Sequence, residues 1–209
     1  MRVAPIAMMY SGENLDAEIP AAFAMGGNVA KLTHGHPVST LASGVMVVLV
    51  LQLLAGRALP EALTVAKGLL DTNDMDGREV WGALTHAEEL ADSSLEPTDA
   101  ITKLGGGWIA EEALSISVYA CLKAQSLKET LLIAVNHSGD SDSTGAIAGN
   151  LAGAVYGVQA IHAHWLAQLE LRDVIQAVAD DLHDCGGWEL SLNKETLESQ
   201  RIWQRYPGW

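Results

Sequence analysis

An all-α fold is what this 209-residue sequence predicts, on three observations. Long segments carry apolar residues at helical spacing, short Gly, Pro, Asp and Asn clusters break them apart, and no run of alternating β-branched residues bounded by turns appears. With 49% apolar and 18% charged residues the chain is globular and long enough for a sizeable core. It shows no internal repeat and no interdomain linker, so 1–209 reads as a single domain.

Taken in order, the pattern predicts helices over Ile19 to Leu32, Pro37 to Ala55, Leu59 to Leu70, Arg78 to Leu90, Ile109 to Ala124, Leu127 to Asn136, Thr144 to His164 and Leu171 to His183. The second of these contains VSTLASGVMVVLVLQLLA, 18 residues without a charge from Val38 to Ala55. That is the lower edge of what spans a bilayer, but Ser39, Thr40, Ser43, Gly44 and Gln52 interrupt it and no Lys or Arg cluster flanks one side. A helix apolar all round is also what the centre of a helical domain requires, and the segment reads as a buried core helix. Pro60 falls in the first turn of its helix, where a missing N–H costs little. DTNDMDG, Asp71 to Gly77, and SSLEPTDA, Ser93 to Ala100, have turn composition.

A net charge of −14 makes the surface repel polyanions, which argues against nucleic acid and anionic membranes as partners. Any phosphate has to be held locally, by a metal or by backbone N–H groups. Cys121 and Cys185 are far apart and form no CxxC, which suits free thiols in a reducing, cytoplasmic compartment. Met1-Arg2-Val3 is not followed by the apolar run and cleavage site of a signal peptide.

The chemistry concentrates in VNHSGDSDSTGAIAGNLAGAVYG, Val135 to Gly157. Asp140 and Asp142, two apart and followed at once by Ser143, are hard oxygen donors of the kind Mg²⁺, Mn²⁺ or Ca²⁺ select. DSDSTG opens like an EF-hand loop, but its twelfth position is Leu151 rather than a bidentate Glu, so that reading fails. Helix capping by Asp142 or Ser143, with the acids favouring the positive helix end, explains the same residues equally well, and the two roles can coexist. The Gly and Ala residues that follow make a slender helix, useful where backbones approach closely beneath a site.

This segment resembles the C-terminal signature of the ADP-ribosylglycohydrolase family, and the likeness extends over nearly the whole chain. MRVAPI at Met1 to Ile6, KLTHGHP at Lys31 to Pro37, and LGGGWIAEEAL at Leu104 to Leu114 are similar to further family elements, in family order. The resemblance implies a compact orthogonal helical domain and a metal-dependent hydrolase that releases ADP-ribose from a protein or small-molecule acceptor with a pair of Mg²⁺ or Mn²⁺ ions. It implies that Asp140 and Asp142 serve catalysis as metal ligands together with the Ser143 hydroxyl. By the same resemblance His34, Gly106, Gly107 and Trp108 line the ADP-ribose cleft. His137 reads as structural, and Glu111 and Glu112 divide between a buried hydrogen-bonded role and a solvated face.

The family's N-terminal Thr-Asp-Asp-Thr motif and upstream Glu have no counterpart in this sequence. Neither Asp71 to Asp76 nor Asp180, Asp181 and Asp184 reproduces their order. The expectation is therefore an N-terminally truncated domain holding half of a binuclear site. Its alternative is a non-catalytic ADP-ribose-binding module or split-enzyme subunit, partnered by a separate N-terminal polypeptide or by self-association.

Overall fold

The computed structural model of the chain describes residues 1–10, 14–185, 188 and 196–207. Every regular element among them is helical. They fall into two compact units, Met1–Gln168 and Leu169–Trp209.

The first unit opens with a 3₁₀ turn at Ala4–Met9 and continues through α1 (Leu15–Lys31), α2 (Pro37–Leu54), α3 (Leu59–Lys67), α4 (Met75–Ala91), α5 (Pro97–Leu104), α6 (Ala110–Lys123), α7 (Leu127–Val135), α8 (Ser141–Tyr156), a 3₁₀ turn at Val158–Ala160 and α9 (Ala163–Gln168). At its centre stands α2, which packs against the opening 3₁₀ turn and α1, α3, α4, α6 and α8. Val45, Met46, Val47, Val48, Leu49 and Leu51 are all buried, so the 18-residue apolar helix spends its hydrophobicity on the core. α1 crosses it closely. A Cβ on Gly26 would lie 2.7 Å from Val47 Cγ2 and 2.9 Å from the Ser43 carbonyl oxygen, and one on Gly44 would lie 2.8 Å from the Phe23 carbonyl oxygen. These glycines let the two backbones touch, which offsets their poor helix propensity.

Several boundaries differ from the sequence expectation. α1 begins a turn before Ile19, with Pro20 inside it, and α4 begins at Met75 rather than Arg78. α3 stops at Lys67 instead of Leu70. α5 starts within the stretch read as a turn: Pro97 takes the first helical position, and Ala100, Ile101 and Leu104 turn to the core. α8 stops at Tyr156, not His164, because Gly157 leaves the helix with φ +73° and an extended ψ of 171°, a conformation open to glycine.

The second unit holds α10 (Arg172–Asp184) and α11 (Leu197–Arg205). They are tied by Asp181, which accepts a hydrogen bond from Tyr206 Oη and pairs with Arg205 Nε at 2.5 Å.

Candidate functional site

The α7–α8 connector carries the acidic cluster, and a hydrogen-bonded hub fixes its path. Thr144 Oγ1 donates to the Ala134 carbonyl at 2.7 Å and lies 2.9 Å from His137 Nε2, while His137 Nδ1 accepts from the Gly139 N–H at 3.1 Å. With Thr144 donating to Ala134, Nε2 has to donate and Nδ1 to accept, so one imidazole tautomer satisfies both contacts. His137 therefore braces the turn that delivers Asp140.

Asp140 occupies the N-cap position of α8 but makes no side-chain capping bond. Its carboxyl group is held below the ordinary carboxylate range, chiefly by a hydrogen bond shared with the Asp142 carboxyl and next by the Ser143 hydroxyl. Asp142 is exposed and its Oδ1 accepts from the Ser143 N–H at 2.7 Å, satisfying one of the free N–H groups of the first turn. Ser143 is buried. Capping thus falls to Asp142, and the three residues singled out as donors sit side by side.

The glycine turn between α5 and α6 locks against this cluster. Asp140 N–H donates to the Gly106 carbonyl at 2.8 Å, and a Cβ on Gly139 would lie 1.9 Å from that same oxygen, so only glycine fits there. Gly105 and Gly107 have φ +116° and +76°, and a Cβ on Gly107 would lie 3.0 Å from Thr144 Cγ2 and 3.7 Å from Asp140 Cβ. The Glu112 carboxylate reaches back from the first turn of α6 to accept from the Gly106 and Gly107 N–H groups at 3.1 and 3.0 Å. Glu112 is the residue whose part the sequence leaves undivided from that of Glu111. Its neighbour Glu111 is buried, and burial pushes its carboxyl up, with Glu79 and Glu112 adding to the rise.

Trp108, at the end of the glycine turn, is 72% exposed and stands free of the core, with Ile109 beside it also exposed. On the other flank Leu131, Leu132, Val135 and Trp165 wall a groove of about 380 Å³ with Ser141 and Asp142 at its edge. Only the first glycine of α8 is in close contact: a Cβ on Gly145 would lie 2.7 Å from Val135 Cγ1, whereas one on Gly153 would meet open space. His34 is exposed in the connector before α2. Its Nδ1 is 2.8 Å from Thr33 Oγ1, which accepts from Arg2 Nη2 at 2.6 Å. The structure thus joins Asp140, Asp142 and Ser143 with the Gly106–Gly107 turn that carries Trp108, and pairs His34 with Thr33. Among the described residues no group of three or more His, Cys, Asp or Glu side chains is placed to hold a metal ion.

Known proteins are similar to this chain in sequence. ADP-ribosyl-[dinitrogen reductase] glycohydrolase of Rhodospirillum rubrum is 30% identical over 172 residues, 82% of this chain and 50% of the relative. ADP-ribosylhydrolase ARH3 of Bos taurus is 26% identical over 204 residues, 88% of this chain and 56% of the relative. ADP-ribosylarginine hydrolase Tri1 of Pseudomonas putida is 33% identical over 73 residues, 35% of this chain and 20% of the relative. The chain spans about half the length of the first two relatives. The sequence profile of the ADP-ribosylglycohydrolases matches residues 1–190, the stretch that contains the glycine turn and the aspartate cluster folded against it, and the chain belongs to that family.

Proposed function

We propose that this chain provides one side of a hydrolase site that cleaves the glycosidic bond between ADP-ribose and a protein or small-molecule acceptor. The observation that carries the proposal is the juxtaposition of Asp140, Asp142 and Ser143 at the start of α8, with the Gly106–Gly107 turn bonded directly to Asp140. Two carboxylates and a hydroxyl are a hard oxygen set that fits Mg²⁺ or Mn²⁺, and Asp140, Asp142 and Ser143 are the residues to hold the ion. A bound cation would polarise water and steady charge as the glycosidic bond breaks. The chain's own residues prepare the place: Glu112 and His137 hold the two turns in register, and Trp108 offers an exposed indole for a base or sugar to lie on. His34 extends the ADP-ribose cleft in this reading. Two free cysteines fit a reducing, cytoplasmic setting.

The donor set also favours a second role. Three oxygens leave most of a cation's coordination to water, and the described residues offer no third acid or histidine. Opposed carboxylates would then come from a further polypeptide, making the chain a split-enzyme subunit, or the chain binds ADP-ribose without hydrolysing it. The test is ADP-ribose release from an ADP-ribosylated protein with Mg²⁺, by the chain alone and with a polypeptide carrying the Thr-Asp-Asp-Thr and Glu elements. Little turnover alone and chelator-sensitive turnover together is the expected pair of results. Robust chelator-sensitive turnover alone would show a sufficient site within the chain, and none in either arm would leave only the binding role.

A further inference from the structure

α8 touches a second cavity at its other end. On α8 its lining begins at Ala152, ten residues past Asp142, so about 15 Å of helix separates this cavity from the aspartates. The cavity measures about 380 Å³ and forms where the α2–α3 connector meets the last turn of α8. That falls within the ~300–1,000 Å³ typical of small-molecule sites. Leu53, Leu59 and Val155 supply apolar walls, while Arg57 and Tyr156 supply polar groups. Gly56, at φ +81°, turns the chain out of α2, and the Arg57 N–H bonds back to the Gln52 carbonyl at 3.1 Å, which fixes Arg57 at the rim.

The guanidinium has donors to spare. One Nη2 contact reaches Asp16 Oδ1 at 2.7 Å, and the Asp16 side chain is 70% exposed, so water screens that pair and it yields readily to a competing anion. Cys121 also lines the cavity, but its thiol is pushed up to about 12 by burial and points its weak hydrogen bond at the Ala148 carbonyl. It acts as an inert wall rather than a nucleophile. The cavity therefore pairs a single cation and a phenol with hydrocarbon walls, in a chain with only 12 Lys and Arg against 26 Asp and Glu. One guanidinium fork matches one carboxylate, whereas a phosphate dianion needs more donors than stand here.

We propose that this cavity binds a small organic monocarboxylate, its carboxylate on Arg57 and the Tyr156 hydroxyl and its aryl or branched alkyl body against Leu53, Leu59 and Val155. The site is independent of the aspartate cluster and does not rest on the proposed hydrolase role. The probe is 3-phenylpropionate, titrated into the ¹⁵N-labelled chain and followed by amide chemical shifts, with 3-phenylpropionamide as the uncharged control. Saturable shifts are expected at Gly56, Arg57, Val155 and Tyr156, with binding of the amide about tenfold weaker. Arg57→Gln should weaken the acid to the level of the amide. Val155→Trp, at a half-exposed position, should fill the cavity and remove binding of both. Absence of saturable shifts, equal binding of acid and amide, shifts confined to other regions, or unchanged affinity in Arg57→Gln would each overturn the proposal.

Discussion

Glu111 and Glu112 stand side by side at the head of α6 and do different work, although their sequence neighbourhoods are nearly identical. Glu112 turns toward the glycine loop and accepts two backbone N–H groups, a charge-assisted pair that holds the turn. Glu111 is buried beside Glu79 instead. Burial first, then the neighbouring Glu79 and Glu112 carboxylates, raise its carboxyl above the ordinary 4.5, while a hydrogen bond to its own backbone opposes the rise. A carboxyl that holds its proton more tightly folded than unfolded contributes stability that is full below the unfolded value and is lost as pH rises through the folded one. Glu111→Gln keeps the shape and removes the charge. Its stability relative to wild type should accordingly increase as pH climbs from about 4.5 toward neutral, measured by urea denaturation at both ends of that range. A difference that stays constant with pH would show that Glu111 ionises as freely in the fold as out of it. The sequence made the aspartate cluster legible because its donors are contiguous. It left the glutamates unresolved because only the tertiary approach of Gly106 to Gly139 decides which of them faces the turn.

At the level of helices, periodicity located most elements and missed where single residues override it. α8 contains Gly145, Gly149 and Gly153 within its helix, so Gly157 looks no different in sequence, yet only Gly157 takes a positive φ and ends it. α5 was hidden because its start shares Pro, Thr and Asp with turns; its inward face of Ala100, Ile101 and Leu104 emerges only after Pro97 is taken as the first helical residue. α2 is the opposite case, since its unbroken apolar run and its glycines both have tertiary explanations in the core. Gln52 remains an exception: both of its amide atoms are buried without a hydrogen-bond partner among the described residues. The α1–α2 crossing gives a direct test. Gly44→Val forces a branched side chain toward the Phe23 carbonyl oxygen, 2.8 Å from where the Cβ must sit, and neither backbone can withdraw without separating the helices. A loss of about 1–3 kcal/mol is expected, read as a lower denaturation midpoint with helicity retained. An unchanged midpoint would mean that the crossing is looser than described.

Across the whole molecule, an acidic chain concentrates two of its carboxylates at one helix start and surrounds them with apolar surface, Trp108 and Ile109 on one side and Leu132 and Val135 on the other. Apolar surface of this kind is a common feature of binding sites. The central claim is that Asp140 and Asp142 are cation ligands and that capping is incidental to them. It is tested most directly by calorimetric titration of Mn²⁺ into the chain and into the Asp140→Asn, Asp142→Asn double variant, with far-ultraviolet circular dichroism to show that both are folded. The account predicts weak, saturable binding by the wild-type chain and none by the double variant at equal helicity. Unchanged Mn²⁺ affinity in a folded double variant would contradict it and leave the aspartates as helix-terminal residues alone.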